Sequence, residues 1–147
     1  MTVRDLIGSR DSVYSIRDDA TVHEAARYLR ERQVRAVGVV NERGQLTGVV
    51  SQSDISDQVA AENKCPAWMR VSEIMSTSLV TVTPDRSVVE CLGLIQQHGI
   101  YHLLVVDPGA GYLGMLSVAD LLTMIASDEK SRADLLEAFV MDGRAKS

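Results

Sequence analysis

Hydrophobic residues recur at helical spacing in two stretches of the chain. Both stretches follow the i, i+3, i+4, i+7 pattern of an amphipathic helix. Their apolar positions are Val22, Ala25, Ala26 and Leu29 in the first stretch and Val88, Cys91, Leu92 and Ile95 in the second. Each stretch is followed by an apolar run, at 37–40 or 103–106, then by a turn sequence and a second run, at 46–50 or 112–116. The pattern predicts one helix and two strands in each half of the chain.

The two halves are copies of one unit. Shifted by 66 positions, the sequence aligns with itself without a gap, 13–55 onto 79–121, and seven of 36 positions in the central part are identical. A Thr/Ser-x-x-Glu capping box opens each helix, as Thr21 with Glu24 and as Ser87 with Glu90. A further helix follows the second apolar run in both copies.

A short strand is also predicted ahead of each capped helix, at 13–16 and at 79–82, so each copy reads β-α-β-β-α. A short capped segment, 3–7 or 71–75, precedes that strand. A unit of about 60 residues is too small to cover a sheet well with its own helices. We therefore expect the two units to pack through their sheets with pseudo-twofold symmetry, as one α/β (α+β) fold.

The expected domain organisation is repeat 1 at 2–57, a linker at 58–70, repeat 2 at 71–126 and a C-terminal helical tail at 127–147. In the tail, a helical stripe contains Phe139, the one phenylalanine of the chain. Phe139 packs either back onto the same chain or onto a partner subunit, and the sequence leaves both interpretations open.

Composition excludes several classes of protein. Of 147 residues, 46% are hydrophobic and 24% are charged, which is typical of a soluble globular protein. The net charge of −5 and the six aromatic residues disfavour polynucleotide binding. No apolar run approaches the roughly 18 residues that span a bilayer, and the N-terminus shows no secretory signal. We therefore expect a cytoplasmic protein without a membrane partner.

Two cysteines are too few for a disulfide framework or a zinc site. Cys91 lies on a helical stripe, which indicates either a buried, inert thiol or a reactive one.

Candidate chemistry lies where the last strand of each repeat meets the last helix. Both junctions read Gly-x-x-Ser-x-x-Asp and contain Ser51 with Asp54 and Ser117 with Asp120. A helix N-terminus attracts phosphate through its free N–H groups and its dipole, and a carboxylate can accept hydrogen bonds from ribose hydroxyls. However, Ser-x-x-Asp is also a helix-capping motif that stabilises the first turn without any ligand. Both interpretations stay open.

The duplicated β-α-β-β-α pattern with these junctions resembles the cystathionine-β-synthase (CBS) domain pair, or Bateman module. The sequences at 72–76 and 83–90 support the resemblance. It implies a regulatory, non-catalytic fold that binds adenosine compounds such as AMP, ATP, NAD or S-adenosylmethionine in two clefts and that frequently forms dimers. Because nothing else is attached, the chain looks like a free-standing, bacterial-type member that acts on a separate partner protein.

The resemblance also implies the residues of each cleft, which come from both repeats. One cleft would contain Ser117, Asp120, Ser9, Tyr14, Arg35 and Ala36. The other would contain Ser51, Asp54, Ser76, Val80, Ile100, Tyr101 and His102. His102 is either a phosphate contact or an inconsequential surface imidazole, and Tyr101 either contacts the ligand or is simply half-buried. Many relatives have arginine just before the aspartate, where this chain has Ser53 and Ala119. This change favours AMP or adenosine over a triphosphate.

Two functions therefore remain. The first is a regulatory module that senses energy or redox state by binding an adenine nucleotide and acts through a homodimer or a partner protein. The second is a structural dimerisation or adaptor module that binds no ligand. An enzyme is disfavoured, because the chain has no Gly-x-Ser-x-Gly, no phosphate loop ending in Gly-Lys-Ser/Thr and no His-Glu-x-x-His. No metal and no obligatory cofactor are expected.

Overall fold

The computed structural model describes residues 2–8 and 13–146, with side chains described up to residue 140. Ser9, one of the predicted site residues, lies outside the described ranges. The helices are α1 (Val3–Ile7), α2 (Val22–Arg32), α3 (Gln52–Ser56), α4 (Val71–Ile74), α5 (Val88–His98), α6 (Val118–Ser127) and α7 (Glu129–Lys146). The strands are β1 (Ser15–Arg17), β2 (Ala36–Val40), β3 (Leu46–Ser51), β4 (Thr81–Val82), β5 (His102–Asp107) and β6 (Gly111–Ser117). A π-helical segment, Asp57–Ala61, continues α3.

The strands form two three-stranded sheets with the same topology, in the orders β1-β2-β3 and β4-β5-β6. In each sheet the first two strands are parallel and the last two are antiparallel. Both antiparallel pairs also shift register at matching points, between Val39 and Val40 and between Val105 and Val106. The predicted α/β (α+β) class and duplicated unit are therefore confirmed.

The first strand of each repeat is shorter than predicted. β1 begins at Ser15 rather than at residue 13, and β4 begins at Thr81 rather than at residue 79. In the first repeat, pairing with β2 begins at Ser15 opposite Gly38, and Val13 and Tyr14, which precede it, keep 47% and 41% of their surface accessible. Their side chains are consequently available at the molecular surface.

The predicted helical stripes form the cores of the two repeats. Val22, Ala25 and Leu29 of α2 are buried in one hydrophobic cluster, and the matching positions of α5 are buried in the other. In each predicted capping box, the N-cap hydroxyl accepts the expected hydrogen bond from the backbone N–H of the glutamate. Thr21 accepts a hydrogen bond from the N–H of Glu24, and the matching serine does the same at the start of α5, both at 3.1 Å.

The short helix at the start of each repeat packs into the core of the other repeat. Val3 of α1 is fully buried in the cluster around α5, and Val71 of α4 is fully buried in the cluster around α2. Backbone hydrogen bonds hold both helices in place. The N–H of Val3 donates to the carbonyl of Arg86 at 2.9 Å, and that of Val71 donates to the carbonyl of Ala20 at 2.8 Å. Each core is therefore completed by a segment from the opposite repeat.

The facing sheets meet where β2 approaches β6. Side chains alternate along β2, so that Val37 and Val39 point into their own core and Gly38 faces the second repeat. The ring of Tyr112 lies there: a Cβ atom on Gly38 would be 2.5 Å from Cζ of Tyr112. Glycine at this position therefore allows the ring to pack against the backbone of the opposite sheet.

The C-terminal helix α7 packs against α5 and α6. Ser131, which is 3% exposed, and Leu135 lie on the packed side. Phe139 is 76% exposed and Leu136 is 66% exposed. Packing of Phe139 onto the same chain is therefore wrong for the described residues, and the alternative of a partner subunit stays open. Within the described ranges, none of the helices has the length and hydrophobicity that a bilayer crossing requires.

Cys91 is fully buried in the core of the second repeat. Burial raises the pKa of its thiol to about 11, so the thiolate is not formed at neutral pH. The structure thus favours the inert, packing interpretation of this residue.

We predict that Gly38→Ala lowers the free energy of unfolding by about 1–3 kcal/mol, because the new methyl group overlaps the Tyr112 ring between the sheets. Urea denaturation measures the change. Gly93→Ala is the matched control, since no atom lies within 4 Å of a Cβ there and the exposed helical position gains roughly 0.5–1 kcal/mol from alanine. Equal stabilities for the two variants would contradict the close approach of the sheets.

Candidate functional site

A cleft of about 740 Å³ opens between the two repeats. Residues 13–14 and 33–37 form the wall from the first repeat, and β5, β6 and the start of α6 form the wall from the second. The side chains and backbone that line it belong to Val13, Tyr14, Gln33, Val34, Arg35, Ala36, Val37, His102, Tyr112, Gly114, Met115, Ser117, Ala119 and Asp120. A volume in the range of about 300–1,000 Å³ is typical of small-molecule sites.

Ser117 and Asp120 lie in this cleft because β6 runs directly into α6. Ser117 is the N-cap of the helix, and its hydroxyl accepts a hydrogen bond from the N–H of Asp120 at 3.1 Å. The N–H of Ser117 donates in return to Oδ2 of Asp120 at 2.9 Å. The capping interpretation is therefore confirmed for this pair. Capping and a place in the cleft are compatible, because a hydroxyl that accepts one bond keeps its own O–H as a donor.

The N-terminus of α6 is less open to an anion than the sequence suggests. The N–H of Val118 donates to the carbonyl of Tyr101 at 3.2 Å, and the N–H of Asp120 is held by Ser117. The first turn of α3 is arranged in the same way, with the N–H of Gln52 donating to the carbonyl of Arg35 at 2.9 Å. A phosphate at either helix would therefore depend on side chains as well as on amide groups.

The described members of the first predicted group of site residues lie together in this cleft. Tyr14, Arg35 and Ala36 from the first repeat line it together with Ser117 and Asp120 from the second. Arg35 is exposed and Ala36 is buried. Among the described residues that line the cleft, Arg35 is the one permanent cation and Asp120 the one carboxylate.

His102 lines the same cleft, although the family resemblance assigns it to the other one. The register of the antiparallel pair explains the difference: His102 begins β5 directly opposite Ser117 at the end of β6. Burial lowers the pKa of the His102 imidazole below its ordinary value, and the nearby Asp120 carboxylate acts in the opposite direction. His102 is therefore a neutral donor and acceptor at pH 7 rather than a cation.

Apart from His102, the members of the second predicted group are not among the residues that line this cleft. Ser51 and Asp54 form a complete capping box, with the N–H and the hydroxyl of Ser51 donating to Oδ2 of Asp54 at 2.9 and 3.0 Å and the N–H of Asp54 donating back at 3.1 Å. Ser76 forms two backbone hydrogen bonds with Val49 of β3, at 2.8 and 3.0 Å. The structure therefore places these residues mainly in secondary structure, and a second ligand site around them stays a prediction.

The remaining members of that group differ in exposure. Val80 and Ile100 are partly buried and pack against the core of the second repeat. Tyr101 is 76% exposed, so its predicted half-burial is wrong. No group of three or more His, Cys, Asp or Glu side chains that could hold a metal ion occurs among the residues that the structure describes.

Tyr112 and Met115 line the cleft but were not predicted from the sequence. A signal for Tyr112 does exist in the internal alignment, where it occupies the position of Leu46 in the first repeat. An aromatic residue that appears in one copy of a repeat only, opposite the glycine at position 38, indicates a contact made on one side of the pseudo-twofold axis.

The family model described as CBS domain matches the chain twice, at residues 3–61 and 71–127. The chain belongs to the CBS domain family. It is 32% identical over 123 residues to the CBS domain-containing protein YhcV of Bacillus subtilis, and the match covers 84% of this chain and 86% of YhcV. It is 26% identical over 129 residues to CBSX3, a mitochondrial CBS domain-containing protein of Arabidopsis thaliana. That match covers 85% of this chain but 62% of CBSX3, less than two thirds of the relative's length.

Solved CBS structures share the fold along most of the chain. A protein with CBS domains from Burkholderia ambifaria is 26% identical and has a TM-score of 0.78, with 88% of this chain and 96% of that one covered. The CBS domain protein PAE2072 of Pyrobaculum aerophilum, complexed with AMP, has a TM-score of 0.78 at 20% identity. That match covers 93% of this chain and 99% of PAE2072. The CBS domain pair of MJ0100, in complex with 5-methylthioadenosine and S-adenosylmethionine, has a TM-score of 0.75 at 21% identity. That match covers 86% of this chain and 97% of the MJ0100 chain.

We predict that stability falls as the pH is lowered because His102 must gain a proton on unfolding. Burial keeps its folded pKa below the ordinary 6.5, so the unfolded chain binds more protons as the pH falls through that value. Urea titrations between about pH 7.5 and pH 5 should show a loss of stability that is smaller in His102→Gln. An imidazole titration of His102 by NMR with a midpoint above 6.5 would contradict the assignment.

Proposed function

We propose that this CBS pair is a regulatory module that binds an adenosine compound with at most one phosphate in the cleft between its repeats. The observation that carries the proposal is the cleft itself, where Ser117 and Asp120 at the start of one repeat's last helix face Arg35 from the other repeat. The AMP bound to PAE2072 and the S-adenosylmethionine bound to MJ0100 support the same ligand class.

The lining divides the cleft into regions of different chemistry. Asp120 supplies a carboxylate that can accept hydrogen bonds from ribose hydroxyls. Arg35 and the Ser117 hydroxyl can bind one phosphate, while Val13, Tyr14 and neighbouring apolar atoms suit a base. With one permanent cation and a neutral His102, the described lining favours a monophosphate or a nucleoside over a triphosphate.

The position of the cleft supports a regulatory role for binding. Its walls come from both repeats, and the two repeats also share their cores through α1 and α4. A ligand that touches both walls stabilises the arrangement in which they are close, and it shifts the population in proportion to its differential affinity. We propose that a cytoplasmic homodimer, or a separate partner protein, responds to this shift and that the chain acts by binding rather than by catalysis.

A second function, an adaptor or dimerisation module without a ligand, is favoured by two observations. The Ser-x-x-Asp pairs of both repeats form complete capping boxes by themselves. In addition, Leu136 and Phe139 of α7 are mostly exposed and could contact another subunit. This function requires that nucleotides change neither the stability nor the oligomeric state of the protein.

We predict that AMP binds the wild-type chain and that Asp120→Asn weakens its binding by about 10- to 100-fold. The change removes a charged acceptor worth about 1.5–3 kcal/mol but keeps an oxygen for the helix cap. Isothermal titration calorimetry with AMP, ATP, NADH and S-adenosylmethionine measures affinity and selectivity.

Asp54→Asn is the matched control, because it makes the same change in a capping box of the same geometry outside this cleft. It should lower stability as much as Asp120→Asn does and leave AMP affinity in this cleft unchanged. If none of the four compounds produces heat and thermal unfolding is the same with and without them, the adaptor function replaces the sensor.

A further inference from the structure

Three side chains form an aromatic and cationic cluster at the edge of the cleft. The guanidinium carbon of Arg32 lies 3.6 Å from the ring centroid of Tyr28 and 5.7 Å from that of Tyr14. The two tyrosine rings are 6.5 Å apart, centroid to centroid, at an interplanar angle of 86°. This edge-to-face geometry and the cation above the rings are both attractive arrangements.

The cluster also attaches Tyr14 to the fold through the backbone. The N–H of Ser15, the next residue in the chain, donates to the hydroxyl of Tyr28 at 3.1 Å. Tyr28 lies on α2 and packs partly against the core of the first repeat. Tyr14 precedes β1 and has no strand pairing of its own, so these contacts from α2 fix the position of its ring.

Tyr14 is not a core residue. It is 41% exposed, and it lines the cleft together with Ser117 and Asp120. A half-exposed ring that neighbouring side chains hold in place presents a surface on which a planar base can stack. Preorganisation by Tyr28 and Arg32 reduces the entropy that ordering the ring would otherwise cost on binding.

The second repeat lacks this cluster. Under the 66-residue shift, Tyr14, Tyr28 and Arg32 correspond to Val80, Leu94 and His98. Val80 and Leu94 pack against the core of the second repeat, and neither offers a ring. The two pseudo-symmetric sides of the molecule therefore differ in whether an aromatic ring lies at the position of Tyr14.

We propose that Tyr28 and Arg32 are positioning residues, which hold the ring of Tyr14 as the stacking surface for the base of the ligand in this cleft. The inference rests on the proposed function and deepens it. It assigns base recognition to one side of the pseudo-twofold axis, so that this cleft binds an adenine compound more tightly than its counterpart around Asp54.

Isothermal titration of the full chain with AMP tests the role of Tyr14. Tyr14→Leu should weaken AMP binding about tenfold, because stacking of one base on an aromatic ring is lost. Tyr14→Phe keeps the ring and should bind within about twofold of the wild type. Equal affinities for the leucine variant and the wild type, measured on folded protein, would overturn the inference.

A double-mutant cycle tests the positioning role. Arg32→Gln should weaken AMP binding about three- to fivefold in the wild type and should have no effect when Tyr14 is already leucine. Arg30→Gln removes the same charge from the same exposed turn of α2 and serves as the control, with no expected effect. An Arg32→Gln effect that persists in the Tyr14→Leu background, or that Arg30→Gln reproduces, would show a role unrelated to the ring.

The outcomes separate this inference from the proposed function. If AMP binding depends on Asp120 but not on Tyr14, the cleft binds the ligand and the stacking assignment is wrong. If the wild type binds none of AMP, ATP, NADH and S-adenosylmethionine, both are wrong. Circular dichroism melts of each variant confirm that only folded protein is compared.

Discussion

The exchange of short helices between the repeats is the constraint on which the rest of the structure depends. Val3 of α1 and Val71 of α4 are each fully buried in the core of the repeat to which they do not belong in sequence. Burying a valine in this way stabilises the fold by roughly 1.5–3 kcal/mol relative to exposure. Because neither core is complete alone, the repeats are held in a defined relation, and the cleft between them has a defined shape.

Much of the fold follows from local features of the sequence. The stripes that include Val22 and Leu29 predict α2, the alignment at 66 residues predicts its partner α5, and the Ser-x-x-Asp pairs predict the starts of α3 and α6. These features depend on interactions within one or two turns of the chain. The family resemblance, which depends on their order, was therefore readable, and the family comparison confirms it.

The rest depends on which elements meet in space. A single turn such as α1 has apolar residues that fit either core, so its exchange has no local signal. Which cleft His102 lines depends on the register between β5 and β6, which places His102 opposite Ser117. Tyr28 and Arg32 lie on a helix whose pattern indicates packing and solvation, and only the fold brings them to Tyr14. Long-range placement of this kind is not encoded in spacing.

The capping boxes show why a short motif can outlast the activity associated with it. Ser117 and Asp120 are required to begin α6 whether or not the cleft is occupied, since each satisfies a backbone N–H of the other. A member of the family that lost the ability to bind a nucleotide through changes in the opposite wall of its cleft would still keep both residues for the sake of its helix. In such proteins the opposite wall of the cleft, rather than the motif itself, is the better guide to whether a ligand is bound.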